Sequence, residues 1–163
     1  MTIDRPEIVV VGAGGMGALF GAILREGGLA VTLYDTNATH VRAIQTDGLH
    51  VEGFGGERIV HVPATDDASS LERADVLLFQ CKSQATRAGA RAVQHLVERG
   101  AICISFQNGL GNEEMLAEEL GENVLACATD ARDAEAARAL VEQTMAVFGR
   151  VDILAYVTGT NIP

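Results

Sequence analysis

At 163 residues the chain has the size of one ordinary domain, long enough to bury a core without disulfides or metal. Its composition, 48% hydrophobic with 18 glycines, 3 prolines and no tryptophan, is that of a globular protein with most residues ordered. Twelve basic residues against 22 acidic ones give a net charge of -10, which excludes the clustered basic footprint by which proteins hold nucleic acid; a phosphate group must be met by a local site.

The chain opens with an apolar run, Ile8 to Val11, too short and too soon broken by glycine for a signal peptide or membrane span, so a cytoplasmic protein without a membrane partner is expected. Glu7 to Gly12 reads as a strand buried on both faces, and Met16 to Arg25 as a helix closed by Gly27 and Gly28. Ala30 to Asp35 gives a second strand. Asn37 then caps a helix that carries Val41 and Ile44 on one face and stops at Gly48.

Between Leu49 and Val62 alternating residues surround Gly53, Phe54, Gly55 and Gly56, the pattern of a hairpin or two short strands on the sheet edge. Asp75 to Cys81 and Ala101 to Phe106 are short apolar strands. The segment from about Gln84 to Arg99 between them is a helix, with Ala92, Val93, Leu96 and Val97 on one face. Asn112 to Leu120 is a further helix leading into Asn123 to Thr129. From Asp133 to Phe148, Ala137, Leu140, Val141, Thr144 and Phe148 form one stripe, suited to covering the sheet, until Gly149 stops the helix. Val151 to Val157 is the last strand, and its edge invites pairing with a second copy of the chain.

Strands alternating with helices over the whole length imply an α/β fold of three layers, α/β/α, around a doubly wound, mostly parallel sheet in a single domain, because each parallel crossover needs a helix to carry the chain back. Cys81, Cys103 and Cys127 are odd in number and widely spaced in apolar runs, as core thiols are. His40, His50, His61 and His95 show no metal-ligand spacing, so no metal site is expected and surface or capping roles suit them.

One turn carries chemistry. Gly12-Ala13-Gly14-Gly15-Met16-Gly17 is G-x-G-x-x-G between a predicted strand and helix: the first glycine permits the turn, the second lets a pyrophosphate approach, and the third lets helix meet sheet. The helix N-terminus adds amide donors and a positive dipole. Asp35 ends the second strand where a Rossmann-type carboxylate accepts hydrogen bonds from the adenosine ribose hydroxyls. That favours NAD as cofactor. NADP stays open as the alternative, although the carboxylate repels a 2′-phosphate and the nearest arginine is Arg42 in the next helix.

From Ile8 to about Thr129 the motifs resemble ketopantoate reductase: VVGAGGMGALFGAIL, VTLYDTNATHVRAIQTDGLHVEG, ADVLLFQCKSQATR, ISFQNGLGNEE and NVLACAT. The resemblance implies that Lys82, Gln107, Asn108 and Gly109 line the nicotinamide end of a cofactor cleft, with Lys82 and Asn108 as the catalytic candidates. It also implies that the catalytic lysine and glutamate of the family's later, helical domain have no counterpart here, since Lys82 is the only lysine. Residues 130 to 163 resemble a short-chain dehydrogenase instead, with Asp130-Ala131 and Val151-Asp152-Ile153-Leu154 at matching places, which implies a join of two pieces near residues 124 to 133. Neither Tyr34 nor Tyr156 begins the Tyr-x-x-x-Lys pair of that second family. Three readings follow: an NAD-binding domain without turnover alone, a reductase completed by a partner chain, or a scaffold that keeps the glycine turn only for its backbone.

Overall fold

The computed structural model describes residues 6–53, 55–109, 111–121 and 133–149. Strand β1 (Glu7–Val11) is a β-branched run whose side chains alternate between two cores: Ile8 and Val10 face one layer, Val9 and Val11 the other. Helix α1 (Gly15–Glu26) returns the chain to β2 (Ala30–Tyr34), and Asn37, accepting from the His40 amide at 3.2 Å, caps α2 (Ala38–Asp47) as expected. The short strands β3 (Leu49–Val51), β4 (Arg58–Val60) and β5 (Ala64–Thr65) follow, then β6 (Val76–Phe79). A 3₁₀ turn at Ser83–Ala85 leads into α3 (Thr86–Glu98), then come β7 (Ile102–Ser105), α4 (Asn112–Leu120) and α5 (Ala134–Phe148).

Five strands form one parallel sheet in the order β5-β2-β1-β6-β7. The chain runs outward from β1 first to one side and then to the other, so the switch in direction falls between β1 and β6, where ligands of doubly wound folds bind beyond the strand C-termini. One face of the sheet packs Ile8, Val10, Leu33 and Leu78 against Ala22 of α1 and Val41 and Ile44 of α2. The other packs Val11, Leu77 and Phe79 against Ala90, Val93 and Leu96 of α3 and Leu116 and Leu120 of α4. Leu33 and Leu77 are completely buried, and truncating either to alanine costs ~2–5 kcal/mol. The expected three-layer α/β/α fold is therefore present.

Two expectations need correction. The hairpin forms, with Leu49 opposite Val60, but β3 and β4 make their own antiparallel sheet and do not extend the main one. Leu49, Val51 and Val60 join the core beside α1 and α2, and the main sheet's edge is occupied by β5, whose Ala64 and Thr65 pair with Leu33 and Tyr34. Helix α5 forms where the periodicity places it, capped by Asp133 at the Glu135 amide at 2.8 Å, yet none of its described side chains is buried, and Val141 and Val147 are 44% and 55% exposed. Its stripe does not cover the sheet as expected. The segment Asn123 to Thr129 with Cys127, and the strand expected at Val151 to Val157, lie outside the described residues. No helix among the described residues is long and apolar enough to cross a membrane.

Candidate functional site

The glycines of the turn after β1 divide by what surrounds them. Gly12 continues the sheet, its amide donating to the Tyr34 carbonyl at 2.8 Å, and at φ +99° a side chain would lie 2.6 Å from the Cys81 backbone. A Cβ on Gly17 would lie 1.9 Å from the Gly12 carbonyl oxygen, so helix and strand touch there. Gly14 and Gly15 differ: a Cβ on either meets no atom within 4 Å. Gly14 is the N-cap of α1 and offers no side-chain cap, so the first amides of the helix, those of Gly15, Met16 and Gly17, have no side-chain partner from the preceding turn.

Asp35, just past β2, reaches across to this turn. Its Oδ2 accepts the Ala13 amide at 2.7 Å and its Oδ1 accepts the Asn37 amide at 2.9 Å. On the other side of the same peptide, His40 Nε2 donates to the Ala13 carbonyl at 2.9 Å. The carboxylate thus holds the glycine turn in addition to facing the end of β2. Beside it Tyr34 is buried, and that burial, followed by the neighbouring Asp35 charge, pushes its phenol above the ordinary range. A cavity of about 330 Å³ adjoins the turn, bounded by Gly14, Gly15, His40, Leu49 and His50.

Beyond β6 and β7 a larger cavity of about 510 Å³ brings together Met16 and Phe20 of α1, Gln80, Cys81, Lys82 and Ser83 after β6, and Phe106, Gln107 and Asn108 after β7. Three of the four residues assigned to the nicotinamide end, Lys82, Gln107 and Asn108, line it; Gly109 adjoins at φ +108°. The exposed Lys82 ammonium has no ion-pair partner among the described residues. In a chain of net charge -10 it is a cation available to an anionic or electron-rich ligand.

Gln107 has a different job from its neighbours. Its Nε2 donates to the Cys81 carbonyl at 2.7 Å and to Thr86 Oγ1 at 2.8 Å, while its Oε1 accepts from Ser105 at 3.1 Å. Thr86 in turn donates to Asn112 Oδ1 at 3.2 Å, and Asn112 Nδ2 donates to the carbonyls of Asn108 at 3.2 Å and Gly109 at 3.3 Å. Thr86 and Asn112 are fully buried, so this satisfied chain fastens the Asn108-Gly109 turn to the loop after β6. Ser83 adds a donor to the Asn108 carbonyl at 3.2 Å.

The sequence reading missed Thr86, Asn112, Ser83, Gln80 and His40. Asn112, four residues after Asn108, was the only one with a local signal, and its meaning depends on Thr86, 26 positions away. Burial raises the Cys81 thiol above its ordinary range and pushes Cys103 up to about 12, so neither is a ready thiolate; Cys103 packs in the core while Cys81 lines the cavity. No cluster of His, Cys, Asp and Glu among the described residues is arranged to hold a metal ion.

Comparison with known proteins agrees with the first resemblance. The family model "Ketopantoate reductase PanE/ApbA" matches residues 8–147. The chain is 36% identical to 2-dehydropantoate 2-reductase of Halobacterium salinarum over 115 residues, covering 70% of this chain and 38% of that protein. It is 33% identical to the Pyrococcus abyssi enzyme of the same name over 130 residues, 80% of this chain and 42% of that one. Among solved structures, a PanE/ApbA family ketopantoate reductase from Ralstonia eutropha superposes with a TM-score of 0.64 at 33% identity, over 69% of this chain and 37% of that one. A D-mandelate dehydrogenase solved with NADH and anilino(oxo)acetate superposes with a TM-score of 0.66 at 26% identity, over 71% of this chain and 38% of that one. The chain thus spans about two fifths of the length of these curated relatives. The family match extends through most of α5, and nothing in these matches supports a short-chain dehydrogenase segment or a join near residues 124 to 133. The chain belongs to the ketopantoate reductase family, PanE/ApbA.

Proposed function

We propose that this chain is the dinucleotide-binding half of a 2-keto acid reductase of the ketopantoate type, and that it takes NAD in preference to NADP. One observation carries the reading: Gly14 and Gly15 stand in open space at the start of an uncapped helix, while Gly12 and Gly17 are pinned by backbone. Packing alone explains the second pair. The first pair has no structural reason to lack a side chain, and a pyrophosphate lying against the amides of α1 supplies one. This weighs against the scaffold reading, in which the turn is kept for its backbone only.

Asp35 accepts the adenosine ribose hydroxyls and repels a 2′-phosphate; its remaining lone pairs suffice because Ala13 and Asn37 each use one. Lys82 and Asn108 present an ammonium and a carboxamide to the cavity at the nicotinamide end, where they bind and orient an electron-rich oxygen. When bound, the dinucleotide supplies the hydride. Gln107 acts as a positioning residue, since its carboxamide is engaged by Cys81, Thr86 and Ser105. Proton delivery and capture of a substrate carboxylate need further groups, so these 163 residues by themselves bind cofactor without turnover.

The test is calorimetric titration of the purified chain with NADH and then NADPH. Saturable binding, tighter for NADH, is expected, together with its loss in Gly14→Val. A folded sample that gives no heat with either nucleotide refutes the proposal and restores the scaffold reading.

A further inference from the structure

Gln80 follows directly on β6, its amide donating to the Val11 carbonyl at 2.9 Å, and its Cβ lies 3.2 Å from where a Cβ on Gly17 would stand. It therefore sits under the first turn of α1, and it lines the 510 Å³ cavity together with Met16, Lys82 and Asn108. Its Nε2 is buried and has no hydrogen-bond partner; among the described residues it is the one buried side-chain nitrogen or oxygen left so. Native interiors satisfy the large majority of such groups, and one left unpartnered at the wall of a cavity is accounted for by a molecule that enters it. The neighbouring polar side chains cannot serve: Gln107 is engaged by Cys81 and Thr86, and Asn112 by Thr86 and the carbonyls after β7.

From this geometry we infer that the Gln80 carboxamide is a ligand-binding group, and that it takes the nicotinamide riboside end of the dinucleotide. The inference rests on the cofactor reading given above. A carboxamide offers a donor and an acceptor side by side, so it matches groups that carry both, namely ribose hydroxyls and the nicotinamide carboxamide. Its place fits: Gly17 of the phosphate turn lies on one side and the Lys82-Asn108 cavity on the other. A negatively charged group is a poorer match, because the neutral amide is set beside a free lysine that would hold an anion first.

The experiment compares the full chain with Gln80→Leu and Gln80→Met, which keep length and bulk but remove the polar atoms. Each is titrated with NADH and with ADP-ribose, which lacks only the nicotinamide, its ribose being retained at the pyrophosphate, and with ADP, which lacks that whole end; each is also unfolded in urea. The expected result is that both variants bind NADH about tenfold more weakly than the wild type while ADP affinity stays within about twofold. Their urea midpoints should equal or exceed the wild type's, since the unpartnered buried amide is gone. The size of the ADP-ribose loss then divides the effect between ribose and nicotinamide. NADH binding at wild-type affinity in the variants overturns the inference. So does a lowered midpoint with NADH and ADP weakened together, which makes Gln80 a brace of the fold. Failure of the wild type to bind either NADH or ADP overturns the cofactor reading itself, and this inference with it.

Discussion

Replacing Gly14 with valine separates the two uses of the glycine turn. At φ -66° and ψ -176° the backbone of Gly14 is open to any L-residue, and its Cβ would meet nothing within 4 Å. The expected stability change is small: a poorer N-cap costs ~1 kcal/mol, and the reduced freedom of the unfolded chain returns ~0.4–1 kcal/mol. At ~2–4 °C per kcal/mol for a domain of this size, Tm should stay within about 3 °C of the wild type. Binding should behave otherwise. Two charge-assisted hydrogen bonds from the α1 amides to a pyrophosphate are worth ~1.5–3 kcal/mol each, so shutting the phosphates out weakens NADH binding by a factor of about 10² or more. Gly17→Ala is the contrasting variant, because its Cβ would be forced to 1.9 Å from the Gly12 carbonyl oxygen. Overpacking of that kind costs at least ~2–3 kcal/mol, and Tm should fall by about 5–10 °C. Thermal melts of both variants with and without NADH make the assay. A Gly14→Val chain that melts normally and still gains the wild-type stabilisation from NADH refutes the phosphate cradle.

Asp35→Asn keeps an acceptor for the Ala13 amide but removes the charge, so the ratio of NADPH to NADH affinity should rise about tenfold or more; an unchanged ratio removes Asp35 from cofactor choice. Thr86→Val leaves Asn112 Oδ1 and one Gln107 proton unpaired in a buried site, and should lower the unfolding free energy by ~1–3 kcal/mol in urea melts, more than the shape-conserving change alone explains. Asp75 is held below the ordinary Asp value of about 3.9 first by the Glu7 amide at 2.9 Å and then by Arg73, against the opposing effect of burial. Its folded pKa being depressed, its contribution is fully present above the ordinary value and is lost as pH falls through the folded one. The stability gap between wild type and Asp75→Asn should therefore be constant from pH 7 to about pH 5 and shrink progressively as the pH falls below about 4; a gap that does not narrow anywhere in the acid range contradicts the assignment.

What could be read from the sequence was what is written locally. Glycine spacing, a β-branched strand before it and a helix after it identify the turn because all three lie within a few dozen residues of one another, and Asp35 follows from the length of one βαβ unit. Helices α2 and α5 appear where caps and periodicity put them for the same reason. The edge strand β5 was invisible: two residues show no alternation, and Ala64-Thr65 become a strand only because Leu33 and Tyr34 offer a free edge. The hairpin was legible in its turn and wrong in its place, since apolar alternation states that one face is buried and not against what. The polar chain from Gln107 through Thr86 to Asn112 was equally out of reach, because each residue type there is common on surfaces and only the tertiary approach of two loops makes it a brace.

The departures from local consistency gather in one place. Helix α1, like α3 and α4, has no side-chain cap, but it begins on Gly14, whose missing side chain neither a neighbouring atom nor a positive φ requires. Interiors satisfy their polar atoms, and the unpartnered Gln80 amide lies beneath that same first turn. Lysine usually finds a solvated face or an acidic neighbour, and the sole lysine of a strongly acidic chain stands without an ion-pair partner among the described residues, two positions further on. Each feature alone is a small cost in stability. All three border the crevice where the sheet reverses direction, and a ligand with phosphates at one end and hydrogen-bonding groups at the other relieves all of them at once. Three independent deficits answered by one molecule are a stronger argument for a dinucleotide than the glycine spacing, because the spacing is also compatible with simple packing and the deficits are not.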